Sequence, residues 1–242
     1  MPSVEILNEA RRAIEICNAC RYCEGYCAVF PAMERRRIFS DSDMSYLANL
    51  CHNCRGCFYA CQFSPPHEYN VNIPAQFSAL RAQTYQDYAW PGALGKLFER
   101  NGLVVSLVMA VSLMVVMGLA LLMVNDGRLF GVHTGAGAFY AVIPYEVMVY
   151  TASAVFGFVV LAMIIGFTRF LKDTGKTSVG NVDTSSLLSA VWDVLTMKNL
   201  KGGGLGCNYP DHRFSPARRW HHHFVMYGFF LCFAATSVAT IY

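Results

Sequence analysis

The sequence predicts a mainly α protein in two parts, a small helical domain built around cysteines and then a bundle of membrane-spanning helices. Three observations predict it. Eight of the ten cysteines fall between Cys17 and Cys61, in two copies of one spacing. Three later segments of about 20 residues carry almost no charge and are long enough to cross a bilayer. No alternation of apolar and polar residues surrounds the cysteines, so the small domain is helical rather than β-rich.

Composition narrows the class. The 242 residues allow one or two domains. With 55% hydrophobic and only 14% charged residues, the chain is too apolar for an ordinary soluble protein, and a net charge of +3 does not argue for nucleic acid. Met1 to Ile16 is charged and amphipathic, without the apolar core of a secretory signal. The cysteines are therefore expected in the reducing cytoplasm, where thiols remain available as ligands.

In chain order, Val4 to Ile16 reads as a helix, with Ser3 as its cap and Val4, Leu7 and Ile14 near helical spacing. The first cysteine run is Cys17, Cys20, Cys23 and Cys27; the second is Cys51, Cys54, Cys57 and Cys61, a constant 34 positions later. Arg21 aligns with Arg55 and Pro31 with Pro65, so the repeat is C-x2-C-R-x-C-x3-C-x3-P. Between the runs lie Arg35, Arg36 and Arg37, a solvated face or a docking patch, and a short helix through Leu47 and Leu50 capped by Asp41 or Asp43. A helix from Pro74 to Tyr88 follows, and then a linker in which Trp90 and Phe98 among Lys96 and Arg100 suit a membrane interface.

The cysteine spacing carries the chemistry. Three thiolates at x2-x2 spacing reach three corners of one iron–sulfur cube, and the fourth cysteine of each run ligates the other cluster. Cys17, Cys20, Cys23 and Cys61 are thus assigned to one [4Fe–4S] cluster, and Cys51, Cys54, Cys57 and Cys27 to a second. Structural zinc pairs two C-x2-C knuckles across a longer loop, and consecutive x2 spacings are too cramped for disulfides. The first part is then a ferredoxin-like domain with two [4Fe–4S] clusters.

Spans are expected at about 103–124, 142–169 and 221–242, after a domain at 1–90 and an interfacial linker at 91–102, within a membrane domain of 103–242. The loop at 170–219 holds Lys172, Lys176, Lys198, Lys201, Arg213, Arg218 and Arg219, whereas the loop between the first two spans has only Arg128. Basic residues favour the inner side, which places the long loop and the cysteine domain in the cytoplasm of a multi-pass protein of the cytoplasmic membrane. Within that loop Val182 to Leu195 reads as an amphipathic helix, and the glycines from Gly202 to Gly206 let backbone approach something closely. Cys207 reads as a non-ligand and Cys232 as packing.

His221, His222 and His223 at a membrane boundary are candidate ligands of a b-type haem, as is His133 on the opposite side; Arg218 and Arg219 are candidate partners of its propionates. About 30 Å of hydrocarbon would separate His133 from the triple histidine, so the two cannot share one haem. An inner haem would draw on His212, a methionine, a second chain or residues beyond Tyr242.

The doubled C-x2-C-R-x-C-x3-C motif, the spans, the run from Gly202 to Asp211 (G-G-G-L-G-C-N-Y-P-D) and Arg218 to His223 (R-R-W-H-H-H) resemble the tricarballylate-utilisation protein B family (TcuB/CitB) over essentially the whole chain. The resemblance implies an electron-transfer membrane subunit with two [4Fe–4S] clusters and haem b. It implies reoxidation of the reduced FAD of a partner flavoprotein, tricarballylate dehydrogenase, with electrons passed to the quinone pool, and further membrane segments after this chain. No general acid/base pair or nucleophile for substrate chemistry accompanies these features. The other readings are a membrane-anchored iron–sulfur redox sensor and a passive membrane anchor for a dehydrogenase.

Overall fold

The computed structural model describes residues 4–97, 101–123, 131–174, 183–201, 206–208 and 211–241. It is mainly helical, and its packing divides the chain into two units: Met1–Asp87 with Arg169–Tyr242, and Tyr88–Thr168. The third long apolar helix therefore groups with the cysteine-rich segment, not with the first two.

The core of the first unit begins on α1 (Val4–Cys20), where Leu7, Ala10, Ala13 and Ile14 form one buried face at helical spacing. Val4, read as part of that face, is exposed. Against it pack Val29, Phe30 and Met33 of α2 (Val29–Glu34), Met44, Leu47 and Ala48 of α3 (Asp41–Leu50), and Phe77 and Leu80 of α5 (Ile73–Tyr88). α4 (Gly56–Tyr59) is a single turn inside the second cysteine run.

The cap of α3 differs from the expectation. Ser40, one residue earlier than Asp41, accepts from the Asp43 N–H at 3.2 Å, and the Asp43 carboxylate accepts from the Ser40 N–H at 3.3 Å, closing a capping box. Asp43 also pairs with Arg36 at 2.5 Å, and both side chains are nearly buried. Arg36 further donates to Ala32 O and lies 5.0 Å from the centre of the Tyr46 ring. One arginine of the basic triplet is thus a structural cation rather than part of a solvated face.

The first unit resumes with α9 (Thr184–Leu195), a two-residue antiparallel ribbon of β1 (Cys207–Asn208) and β2 (Phe214–Ser215), and α10 (Ala217–Ile241). Gly206 holds the ribbon entry. Its φ is +125°, and an added Cβ would lie 2.5 Å from Ser215 O, so only glycine fits this backbone approach.

The second unit holds α6 (Gly92–Leu97), α7 (Asn101–Met123), a 3₁₀ turn at Ala138–Ala141 and most of α8 (Tyr145–Asp173). Trp90 of the linker packs on Phe158 at 6.0 Å, and a Cβ on Gly166 would come within 2.9 Å of Tyr88 O. Helices α7, α8 and α10 are each long and apolar enough to cross a membrane. At 1.5 Å per residue, the 23 residues of α7 rise about 35 Å and the 25 of α10 about 38 Å, against a hydrocarbon core of about 30 Å. Among the described residues most of their large apolar side chains are exposed, as in a helix solvated by lipid.

Candidate metal centre

Each cysteine run is a turn following a helix. α1 delivers Cys17 and Cys20 on its last turn, and Arg21 at φ +54° reverses the chain so that Cys23 returns toward them. The second run shares the left-handed arginine with the first but not its helix. α3 ends at Leu50, Cys51 and Cys54 follow, and Arg55 adopts φ +61° before Cys57 on α4. A left-handed arginine is uncommon, so the aligned Arg21 and Arg55 repeat a conformation at one position as well as a residue.

The thiols gather in two groups. The neighbours acting on Cys17 are Cys61, Cys23 and Cys20. These four line a cavity of about 240 Å³ walled by Ile16, Phe30, Phe63 and Ile73. Cys27 has Cys54 and Cys51 as neighbours, and Cys57 has Cys27, Cys51 and Cys54, around a tighter space of about 20 Å³. In each group the fourth member comes from the other run. Cys57 also feels Cys23, so the two groups adjoin. Among the described residues no three side chains converge on a single metal ion.

The electrostatics show what such a donor set needs. Burial, then neighbouring thiolates, pushes Cys17 up to about 12 and Cys23 up to about 11. Burial pushes Cys27 up to about 12 and raises Cys57 well above its ordinary value. Cys17, Cys23, Cys27 and Cys57, buried and crowded in this way, resist ionising on their own account, whereas Cys54 is lowered by its neighbour Cys207. A positively charged core that bonds to four sulfurs at once supplies the missing driving force, so the donor set fits iron–sulfur clusters.

The second group has a cover that sequence reasoning missed. Asn208 N–H donates to Cys54 O at 2.9 Å, and the Asn208 side chain donates to His212 O at 2.6 Å. Cys207, read as a bystander, is buried, donates through its sulfur to Leu200 O at 3.3 Å, and lies beside the Cys54 thiol. This proximity lowers Cys54 and raises Cys207. Arg218 donates to Asn53 O at 2.7 Å, and Arg81 donates to Cys51 O. No local pattern announces these contacts; the only signal was the glycine stretch before Cys207.

The triple histidine lies on the first turns of α10. His222 Nδ1 is 2.8 Å from Arg218 O and His223 Nδ1 is 3.0 Å from Arg219 O. A carbonyl only accepts, so both Nδ1 atoms carry the proton and Nε2 is left as the electron-pair donor. His223 stacks on Tyr227 at 5.9 Å and borders a groove shared with Arg219, Trp220 and Leu195. Arg219 donates to Thr196 O at 2.7 Å. Arg218 and Arg219, expected beside haem propionates, thus each hold a protein carbonyl. His133 stands in the second unit, in the loop before Gly135 and Gly137.

Comparison with known proteins agrees along the chain. Residues 10–87 match the model described as citrate utilization protein B Fer4-like domain, and residues 96–242 match the model described as citrate utilization protein B. A protein of Escherichia coli named citrate utilization protein B is 43% identical over 235 residues, covering 97% of this chain and 60% of that protein. The chain therefore spans about 60% of the relative's length. No solved structure matches significantly.

Proposed function

The chain belongs to the citrate utilization protein B family, an iron–sulfur electron-transfer family, and on that premise we propose that it relays electrons from a flavoprotein dehydrogenase to membrane quinone. The observation that carries this reading is the gathering of the eight cysteine thiols into two adjoining groups, each completed by the other run. Cys17, Cys20, Cys23 and Cys61 would hold one [4Fe–4S] cluster, and Cys51, Cys54, Cys57 and Cys27 the other. When bound, such clusters take up and release single electrons.

What the residues themselves do follows from their surroundings. Cys20 is exposed, as is Tyr22 beside it, and this edge of the first group is where a reduced FAD would approach. The second group is enclosed by the segment leading into α10, which favours it as the exit toward the membrane. The bonded Nδ1 atoms of His222 and His223 leave Nε2 suited to a haem iron, so one of these, or His221, would hold haem b on the side where Arg218 and Arg219 lie. Arg169 and Lys172 at the end of α8 and Arg218 and Arg219 at the start of α10 support a cytoplasmic placement of the cysteine domain in the inner membrane. Tricarballylate oxidation is the chemistry we assign to the partner, on the resemblance carried by the doubled cysteine motif and the Arg218 to His223 run.

The test is anaerobic reduction of the purified chain. Tricarballylate with its flavoprotein dehydrogenase is expected to bleach the visible absorbance of the chain, a quinone is expected to restore it, and tricarballylate alone is expected to do nothing. Bleaching by tricarballylate without the flavoprotein would overturn the relay.

A further inference from the structure

The two cysteine groups differ in what covers them. The first has an exposed member in Cys20, and Phe63 N–H points at Cys61 Sγ from 3.3 Å. The second has buried Cys51 and Cys54, and over them lies the segment that enters α10. That segment is pinned through Asn208 N–H to Cys54 O and through the Arg218 guanidinium to Asn53 O, and Gly206 permits the close ribbon that brings Cys207 in. Arg81 of α5 adds a second guanidinium at Cys51 O.

The Cys207 thiol donates to Leu200 O at 3.3 Å and lies beside the Cys54 sulfur, to which its one proton can turn instead. A ligating Cys54 is a thiolate, and a charged acceptor draws the stronger hydrogen bond, so the proton goes to Cys54 when the cluster is bound. Reduction adds one negative charge to the cluster. Donors to its sulfurs and nearby cations stabilise the reduced form more than the oxidised one, while burial works in the opposite direction.

We propose that Cys207 and Arg218 are positioning residues that raise the reduction potential of the cluster held by Cys51, Cys54, Cys57 and Cys27. Cys207 acts by donating to the Cys54 sulfur, and Arg218 by placing its charge over the Cys51–Asn53 turn. One electron leaves the first cluster and enters the second, with no proton moved and no bond made or broken. The segment between the membrane helices thereby makes the second cluster the better acceptor of the two. This deepens the reading above and rests on it.

The experiment is a potentiometric titration followed by EPR, on the whole chain purified anaerobically, with iron and acid-labile sulfide measured alongside. Cys207→Ala and Arg218→Gln are each expected to shift one cluster's reduction equilibrium at least tenfold toward the oxidised form, about 59 mV for a one-electron couple. The other cluster stays in place, and the one that moves is the one altered by Cys27→Ser. Cys207→Ser and Arg218→Lys restore most of the shift, because hydroxyl and ammonium still donate and carry charge. If Cys207→Ala cannot be purified with both clusters, the Arg218 pair decides. Unmoved potentials, or equal movement of both clusters, overturn the proposal. So does loss of a cluster in Cys207→Ala that is kept in Cys54→Ala, since Cys207 would then be the ligand. A wild-type chain without any iron–sulfur signal would instead refute the reading on which the proposal rests.

Discussion

Cys27 and Cys61 are the residues through which the two runs depend on each other. Each closes its own run in sequence, yet Cys61 acts on Cys17 and Cys23, and Cys27 sits beside Cys51 and Cys54. Cys61→Ser is therefore expected to alter the EPR signal of the cluster built on the first run, and Cys27→Ser that of the second. If each variant damages the cluster of its own run, the crossed arrangement is wrong. These eight thiols were legible in the sequence because local spacing alone brings three of every four together. Cys207 was not. Its contact with Cys54 spans most of the chain, and nothing in its neighbours distinguishes a thiol packed on a ligand from one packed in a core. Arg218 misled for a related reason, since a basic pair at a membrane boundary satisfies the charge asymmetry of membrane proteins wherever its guanidiniums point.

At the level of elements, α3 holds the second run in place, and its start is doubly fixed. Ser40 contributes one hydroxyl to the capping box, whereas Asp43 serves both the cap and Arg36. Ser40→Ala should cost about 1 kcal/mol. Asp43→Ala should cost about 3 kcal/mol, because it strands a nearly buried guanidinium as well. Thermal unfolding of the two variants by circular dichroism checks the order, and equal losses would show that the Arg36 pair contributes nothing. Sequence placed this helix correctly but not its cap, because Ser40, Asp41 and Asp43 all have capping chemistry and only the backbone chooses among them. The three long apolar helices were the most legible elements, since length without charge needs no tertiary context. The packing of α10 with the cysteine unit had no such signature.

For the molecule as a whole, the cluster domain gathers several thiols, Cys17 and Cys27 among them, that resist ionising without iron. Burial pushes Cys17 and Cys27 up to about 12 from an ordinary 9.0, so between those values the iron-free folded chain keeps protons that the unfolded chain releases. The associated stability is complete below about pH 9 and falls as pH rises toward about 12. Chelated protein is thus expected to melt at a lower temperature at about pH 10 than at about pH 8, while the loaded protein, whose thiolates hold no protons, shows no such loss. A loaded and a stripped chain with the same pH dependence would remove the thiols from this account. The most direct measurement of the central claim is iron analysis with EPR of the anaerobically purified chain before and after dithionite. About eight irons per chain and, on reduction, two magnetically interacting [4Fe–4S] signals are expected. Zinc in place of iron, or a single cluster of four irons, would contradict that claim.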